Sequence, residues 1–292
     1  MSKIHFYDRR FGYLFVSPAV IILSIVILAP ITIAIITSFY DYTLINRTLD
    51  SFVGLRNYFE SVSNEKFIHS AIVTIVFVIL VVLFEFIIGF LIAILLNQVE
   101  RFRNIYYFIL LIPLLINPIV VGLIWRMFLH PQLGILNYLI SLIGIDPVNW
   151  LGDPQNAFIT IIFVDIWHQV SFMIILLLAG LASIPEEPYE AARVDGANAF
   201  QQFRDITLPY MRPVIIITLL IRLIFALKTY DLIYIMTKGG PGDATDLISY
   251  YIYRSAFIGL DLGQAASMSV ILLLIVCLII YPLFKFMNRA DE

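Results

Sequence analysis

The stretch that decides the fold reads Glu190-Ala191-Ala192-Arg193-Val194-Asp195-Gly196, continues from Ala197 to Thr207 and closes at Leu208-Pro209. It is a polar, helix-forming segment in a chain that is otherwise mostly apolar. Its alanines and its glycine allow another backbone to approach closely. Its charged side chains, at Glu190, Arg193, Asp195 and Arg204, offer contacts to a partner. The segment therefore predicts a docking surface.

The composition around this segment excludes a soluble globular domain. Hydrophobic residues make up 61% of the 292 residues and charged residues only 13%, and the mean hydropathy is +0.95. That much apolar surface cannot be hidden from water within one domain, so the chain is expected to lie in a bilayer. The net charge of −3 comes with no basic stripe, which argues against a nucleic-acid partner. Cys277 stands alone, so neither a disulfide framework nor a metal site is expected.

The apolar residues fall into six segments, each long enough to cross a membrane, which takes about 20 residues. The first is longer than the core of a signal peptide and has no clear cleavage site, so it is expected to remain as a span. The fold expected is an all-α membrane protein with six transmembrane helices and a single transmembrane domain over residues 1–292. The segments cover residues 14–39, 70–96, 104–125, 157–181, 211–235 and 265–287.

The orientation of these spans follows from the basic residues in the connections. Six spans place both termini on one side, and ten Lys and Arg residues lie on that side against six on the other. Basic residues favour the cytoplasmic side, so both termini and the Glu190 loop are predicted to be cytoplasmic.

Local signals within the loop predict two short helices. Pro185 and Pro188 lie where a helix can begin, Gly196 suits a left-handed stop, and Asn198 can cap the helix that follows. The predicted break therefore lies between Gly196 and Asn198.

Apolar side chains recur every three residues on the second of these helices and form a stripe on one face. Because the loop is otherwise polar, this stripe must be covered by another surface that shields it from water. Its members are Phe200, Phe203 and Ile206. The cover is either the chain's own membrane helices or the cleft of a partner subunit, and both can hold for different parts of the loop.

The loop as a whole resembles the coupling loop of ABC importer membrane subunits. The E-A-A sequence, the glycine four residues after its second alanine and the later L-P carry the resemblance, together with Ile184-Pro185 before it and Pro213 after it. The resemblance implies the type I importer permease fold, with a cytoplasmic coupling helix in the loop 185–209, between spans four and five. In similar permeases the loop inserts into a groove of the ATPase subunit. The coupling residues implied are Glu190, Ala191, Ala192, Asp195, Gly196, Arg204, Leu208 and Pro209.

The chain carries no phosphate-binding loop of its own. The sequence G-x-x-x-x-G-K-[ST] is absent, and the glycines at positions 239, 240 and 242 are not followed by the required lysine and hydroxyl residue. The chain is therefore expected to be a non-catalytic transport subunit without a cofactor, while ATP and Mg are bound by a partner ATPase.

A second motif, Thr237-Lys238-Gly239-Gly240-Pro241-Gly242-Asp243-Ala244-Thr245, follows span five. By composition it predicts a tight turn with positive φ angles. Together with Tyr230-Asp231 before it and Ala256-Phe257 after it, however, it resembles carbohydrate importer permeases of the maltose and glycerol-phosphate type. Further matches lie at Phe52-Val53-Gly54-Leu55, Asn57-Tyr58, Trp125-Arg126, Gly134, Asn137, Trp150-Leu151, Ala179-Gly180-Leu181 and Tyr253.

This second resemblance implies the solute and the partners. The solute expected is a sugar, an oligosaccharide, a polyol or a sugar conjugate. The partners expected are a second homologous permease in a heterodimer, two ATP-binding subunits, an extracytoplasmic solute-binding protein and membrane lipid. The location expected is the cytoplasmic membrane of a bacterium or an archaeon.

Ionisable side chains within spans are functional candidates, because they are costly at membrane depth. Arg222 and Glu85 lie at similar depths and can pair. Lys228 and Asp231 lie three residues apart near the outer end of span five and can pair locally. Each such group either fixes helix packing or contacts the solute or a gate. The intramembrane charges are Glu85, Asp165, Arg222 and Lys228, and His168 is interpreted as a hydrogen-bonded core residue.

The substrate path is placed by resemblance. Midspan positions on the helices that flank the coupling loop line the path in similar permeases. The residues that this implies are Trp167, Gln169, Tyr230 and Asp231.

Other function classes make different demands on the sequence. An ion-coupled carrier would use Glu85 or Asp165 as its proton site and would leave the Glu190 loop without a role. An intramembrane transferase would need acidic metal ligands such as D-D-x-x-D, which do not occur. An exporter is disfavoured, because the E-A-A loop resembles that of importers.

Overall fold

The computed structural model describes residues 4–46, 48–99 and 101–288, and within these ranges it is helical without any strand. Lys3, Arg47 and Arg289, which enter the count of basic residues, lie outside the described residues. The helices are α1 Ile4–Thr37, α2 Arg56–Ser63, α3 Glu65–Asn97, α4 Arg103–Leu115, α5 Pro118–Phe128, α6 Ile135–Ser141, α7 Pro154–Ala182, α8 Glu187–Val194, α9 Ala199–Gln202, α10 Leu208–Leu227, α11 Asp231–Met236, α12 Ile248–Tyr253 and α13 Leu262–Asn288.

Five helical stretches of the described chain are long and apolar enough to cross a membrane, and a sixth is obtained when α4 and α5 are counted as one broken span. Their number and order agree with the six predicted spans. The five are Tyr13–Thr37, Glu65–Asn97, Pro154–Ala182, Ala199–Met236 and Leu262–Pro282.

The third span is not the continuous helix predicted over residues 104–125. Helices α4 and α5 meet at an angle of 93°. Pro118 has no N–H and restricts the residue before it, so Asn117 takes an extended ψ angle of 135°. Ile116, which ends α4, is extended as well, with a ψ of 134°. The Asn117 side chain accepts a hydrogen bond of 2.9 Å from the Ile119 N–H and caps α5. Pro118, which the hydropathy pattern does not reveal, thus divides this span into two helices that meet at a sharp bend, the corner between α4 and α5.

The fifth span is also interrupted, where the sequence predicted a helix over residues 211–235. Helix α10 ends at Leu227 and α11 begins at Asp231. The carbonyl of Thr229, in the break, accepts a hydrogen bond from the Ser249 hydroxyl. The expected Lys228–Asp231 pair is not among the ion pairs of the described residues. It depended on the i,i+3 spacing of one helix, and the break removes that spacing.

The chain groups into two compact units, residues 1–64 with 252–274 and residues 65–251 with 275–292. In the first, the polar face of α2 is buried. Asn57 donates to the carbonyls of Ser38 and Tyr40 over 3.0 and 2.9 Å, and the Ser61 hydroxyl lies 2.9 Å from that of Ser267. These bonds fix α2 within this unit. A single permease domain over residues 1–292 stays a prediction.

In the second unit, α3, α7 and α10 pack closely around a common core. A Cβ at Gly89 of α3 would lie 2.8 Å from the Cβ of Met173, and one at Gly180 of α7 would lie 2.8 Å from Val214. The missing side chains let the helices approach at both points. The buried members of this core are Phe90, Ala93, Leu96, Met173, Ile174, Leu177, Leu178, Leu181 and Met211.

Candidate functional site

A buried cluster of three charges joins α3, α7 and α10. Arg222 donates from Nε to Glu85 Oε2 at 2.5 Å and from Nη2 to Glu85 Oε1 at 2.7 Å. The same Nη2 donates to Asp165 Oδ2. The side chains of Arg222 and Glu85 are 1% and 0% exposed, so each charge depends on its partners for stabilisation.

This geometry confirms the pairing of Arg222 with Glu85 and adds Asp165 to it. Similar depth was the signal that linked Arg222 with Glu85. The third member was missed, because depth along a helix does not say which side of α7 faces α10.

A cavity of about 410 Å³ lies beside this cluster. Three of the four residues predicted for the substrate path line it, and so do three of the four intramembrane charges. Glu85 is not among the residues that line it. The lining residues are Leu114, Pro118, Asp165, His168, Gln169, Phe172, Arg222, Phe225, Lys228, Thr229, Tyr230, Asp231 and Leu232.

Trp167, the fourth residue predicted for the path, does not line the cavity. Its ring instead packs edge-on against Trp125, with 5.4 Å between ring centroids. The reason is helical rotation, since a residue two positions after Asp165 points to nearly the opposite side of α7. The cavity face of α7 is formed by residues at spacings of three, four and seven, which are Asp165, His168, Gln169 and Phe172. That helical spacing from Asp165 was available in the sequence as a signal for His168 and Phe172.

His168 supports the corner between α4 and α5. It is 3% exposed, and its Nε2 lies 3.0 Å from the carbonyl oxygen of Ile116. The Gln169 side-chain amide lies 3.1 Å from His168 Nδ1. When Gln169 donates to Nδ1, Nε2 carries the hydrogen and donates to Ile116, whose carbonyl the corner leaves without a helical partner. His168 is thus hydrogen-bonded and buried, as interpreted, while it also contributes to the cavity wall.

Aromatic rings form part of the cavity wall and continue behind it. Phe172 and Phe225 meet edge to face with centroids 6.1 Å apart. Tyr230 stacks with Tyr234 at 5.5 Å and with Tyr250 at 6.1 Å. The wall therefore combines rings with carboxylate, amide, hydroxyl and ammonium groups, a mixture typical of small-molecule sites.

The Glu190 segment forms two short helices between α7 and α10, as the sequence predicted. Gly196 has a φ of +77° and ends the first. Asn198 caps the second: its side chain accepts from the Gln201 N–H at 2.9 Å, and the Gln201 side chain accepts from the Asn198 N–H at 2.8 Å. Helix α9 then continues through a π-helical turn, Phe203–Thr207, into α10. Neither α8 nor α9 buries a residue in the described chain.

The residues predicted to couple lie mainly on the surface. Glu190, Ala191, Asp195, Gly196, Arg204 and Pro209 are exposed, while Ala192 and Leu208 are half-buried. The apolar stripe is divided. Phe203 packs on Phe90 of α3 at 5.8 Å and Ile206 is half-buried, whereas Phe200 is 68% exposed. The chain's own helices thus cover one part of the stripe and leave another uncovered.

One hydrogen bond ties the two halves of this loop together. The Tyr189 hydroxyl of α8 lies 2.8 Å from the Thr207 hydroxyl at the start of α10. Thr207 is 7% exposed. The orientation of α8 is therefore linked directly to the N-terminal end of α10.

The glycine-rich segment after α11 is a tight turn, as its composition indicated. Lys238, Gly239, Gly242 and Asp243 all have positive φ angles. The Thr245 hydroxyl donates to the Gly240 carbonyl at 2.7 Å and lies 2.7 Å from the Thr237 hydroxyl. The two threonines therefore close the turn at its base.

Comparisons with known proteins agree with one another. Residues 85–290 match the family model described as "Binding-protein-dependent transport system inner membrane component". The trehalose/maltose transport system permease protein MalF of Thermococcus litoralis is 37% identical over 276 residues, which are 94% of this chain and 92% of the relative. The sn-glycerol-3-phosphate transport system permease protein UgpA of Agrobacterium fabrum is 30% identical over 292 residues, covering 99% and 98%.

A solved structure covers nearly all of both chains. The bacterial alginate ABC transporter, in complex with an alginate pentasaccharide-bound periplasmic protein, contains a chain with 26% identity and a TM-score of 0.86, over 100% of this chain and 99% of that one. The family match spans the cluster of charges, the cavity and the Glu190 loop. This chain belongs to the family of binding-protein-dependent transport system inner membrane components, the permeases of ABC importers.

Proposed function

We propose that this chain is the permease subunit of an ATP-driven importer that carries a sugar or a sugar derivative across the cytoplasmic membrane. Its relatives named above are permeases for trehalose/maltose and for sn-glycerol-3-phosphate, and the transporter of similar structure imports alginate. The rings and neutral polar groups of the cavity suit a hydroxyl-rich solute. The solute path includes Gln169, Tyr230 and Asp231.

One structural observation carries the coupling part of this proposal. Helices α7 and α10, which contribute six of the thirteen residues that line the cavity, are joined directly by the exposed Glu190 loop. A partner that moves the loop therefore moves the parts of the wall that these two helices form. Val194, 88% exposed on α8, is an apolar contact available to such a partner.

The partners follow from this arrangement. Two separate subunits bind ATP with Mg, one of them docks on the Glu190 loop, a second permease completes the path, and an extracytoplasmic protein delivers the solute. The solved alginate transporter carries a periplasmic protein loaded with its oligosaccharide. With both termini in the cytoplasm, the Glu190 loop faces the ATPase. An ion-coupled carrier, the alternative considered from the sequence, would leave this exposed loop without a role.

Site-directed cross-linking tests the position of the ATPase. In a Cys277→Ser background, which removes the chain's one cysteine, a cysteine at Val194 labelled with a benzophenone reagent is expected to cross-link to the ATPase subunit. A cysteine at Ile143, 73% exposed between α6 and α7, is the control and is expected to give no such product. A product from Ile143 with none from Val194 would refute the proposed docking.

A further inference from the structure

The cavity between α7 and α10 has an unfavourable charge balance for an anion. Its wall carries the carboxylates of Asp165 and Asp231 and the cations Arg222 and Lys228. Glu85 lies against Arg222 without lining the cavity. With every group ionised, three carboxylates face two cations, so the net charge is −1.

The guanidinium of Arg222 is not available to a solute. Both oxygens of Glu85 and one oxygen of Asp165 accept its hydrogen bonds, and its side chain is 1% exposed. An anionic solute would have to displace one of these carboxylates, which would leave a buried charge without its partner.

The remaining charges of the wall cancel. Lys228 is exposed and Asp231 is half-buried, and in the described part of the chain no ion pair within 4 Å engages either one. A carboxylate or phosphate that approached Lys228 would therefore also approach Asp231 and Asp165. Like charges placed together in a membrane cavity of low dielectric repel strongly.

We propose that the cavity selects an uncharged, hydroxyl-rich solute and rejects the acidic form of the same sugar. This inference rests on the proposed function and specifies the solute class of that same site. The rings that line the wall, among them Phe172 and Phe225, offer apolar surface to sugar C–H groups, and Gln169 and Thr229 offer neutral hydrogen-bonding groups. Selection by charge is then a property of this chain, in addition to any selection by the binding protein.

A matched pair of probes tests the proposal. Maltitol and maltobionate carry the same open-chain unit and differ at one carbon, which is a neutral CH2OH group in maltitol and a carboxylate in maltobionate. Their binding is measured by saturation-transfer NMR on the complex of permeases and ATPase subunits without the binding protein, so that only the membrane path selects. We expect maltobionate to bind at least about tenfold more weakly than maltitol.

Two variants assign the cause. Asp231→Asn removes one wall carboxylate and is expected to reduce the discrimination to about threefold. Asp50→Asn removes the same charge from an exposed residue outside the lining and should leave the tenfold ratio unchanged.

Three results would overturn the inference, and they are distinguishable. Equal or tighter binding of maltobionate would contradict the charge argument while leaving the carbohydrate function intact. Unchanged discrimination in Asp231→Asn would contradict the cause assigned to it, which is repulsion by the carboxylate of Asp231. Binding of neither sugar would remove the carbohydrate class itself, and the inference with it.

Discussion

Arg222 and Glu85 lie 137 residues apart in the chain and are joined by two hydrogen bonds, of 2.5 and 2.7 Å, between α10 and α3. Asp165 of α7 accepts a third bond from the same guanidinium. One arginine thus connects three helices of the second unit beside the cavity. Because the guanidinium is shared, removal of each partner should have a different cost.

The first prediction concerns this unequal cost. Arg222→Ala leaves two buried carboxylates without a cation and should destabilise the fold by about 3–5 kcal/mol. Glu85→Ala should cost less, because Asp165 still accepts from Arg222. The double variant should be less harmful than the sum of the two single variants, since the second change removes a charge that the first left unpaired. Unfolding midpoints of the purified complex in detergent measure all three, and strict additivity would contradict the account.

The second prediction concerns Gly196 in the docking loop. A Cβ there would meet no atom of the chain within 4 Å, so a large side chain would disturb a partner rather than this chain. Gly196→Trp should lower solute uptake at least about tenfold while ATP hydrolysis continues. A tenfold loss corresponds to about 1.4 kcal/mol of free energy that no longer couples hydrolysis to transport.

Gly196→Ala is the matched control for this change. Because φ is +77°, both variants carry the left-handed strain of about 1–2 kcal/mol, but only tryptophan adds bulk. Uptake by membrane vesicles, compared with the amount of inserted protein, measures the effect. Normal uptake in a well-inserted Gly196→Trp variant would count against the docking role.

The third prediction concerns the bond between Tyr189 and Thr207. Tyr189→Phe and Thr207→Val each remove it and should raise the amount of ATP hydrolysed per solute transported. Each should reduce stability by only about 1 kcal/mol. The two changes together should be no worse than Thr207→Val alone, because Tyr189→Phe removes only a contact that Thr207→Val has already broken.

Tyr210→Phe is the control for the loss of a tyrosine hydroxyl, since Tyr210 is 50% exposed on α10. The ratio of ATP hydrolysed to solute transported is the readout, because a purely structural role would leave that ratio unchanged. An unaltered ratio in both single variants would show that the bond does not transmit motion.

The sequence was sufficient for the number and order of the spans and for the two short helices of the Glu190 loop, because the signals for both are local. Long apolar segments specify spans whatever their neighbours do. Gly196 and Asn198 specify a helix end and a helix start through their own backbone and side chain. These features needed no knowledge of packing, and the structure agrees with them.

The breaks in spans three and five and the identity of the residues in the cavity wall could not be predicted from local signals. Hydropathy does not register Pro118 or the bond from Ser249 to the Thr229 carbonyl, so spans three and five were predicted to be continuous. Membership of the wall depends on how α7 is rotated, which depth along the helix does not give, and Trp167, predicted for the substrate path, lies outside this wall. The helical spacing of Asp165, His168, Gln169 and Phe172 carries that information, but only once a partner helix is known.

The most direct test of the central claim is uphill transport by reconstituted components. Proteoliposomes that hold this chain and its companion permease should accumulate no solute, either with ATP or under a proton gradient. Addition of the ATPase subunits, the loaded binding protein and ATP on the side of the Glu190 loop should produce accumulation. Accumulation by the permease alone, driven by the proton gradient, would contradict the account.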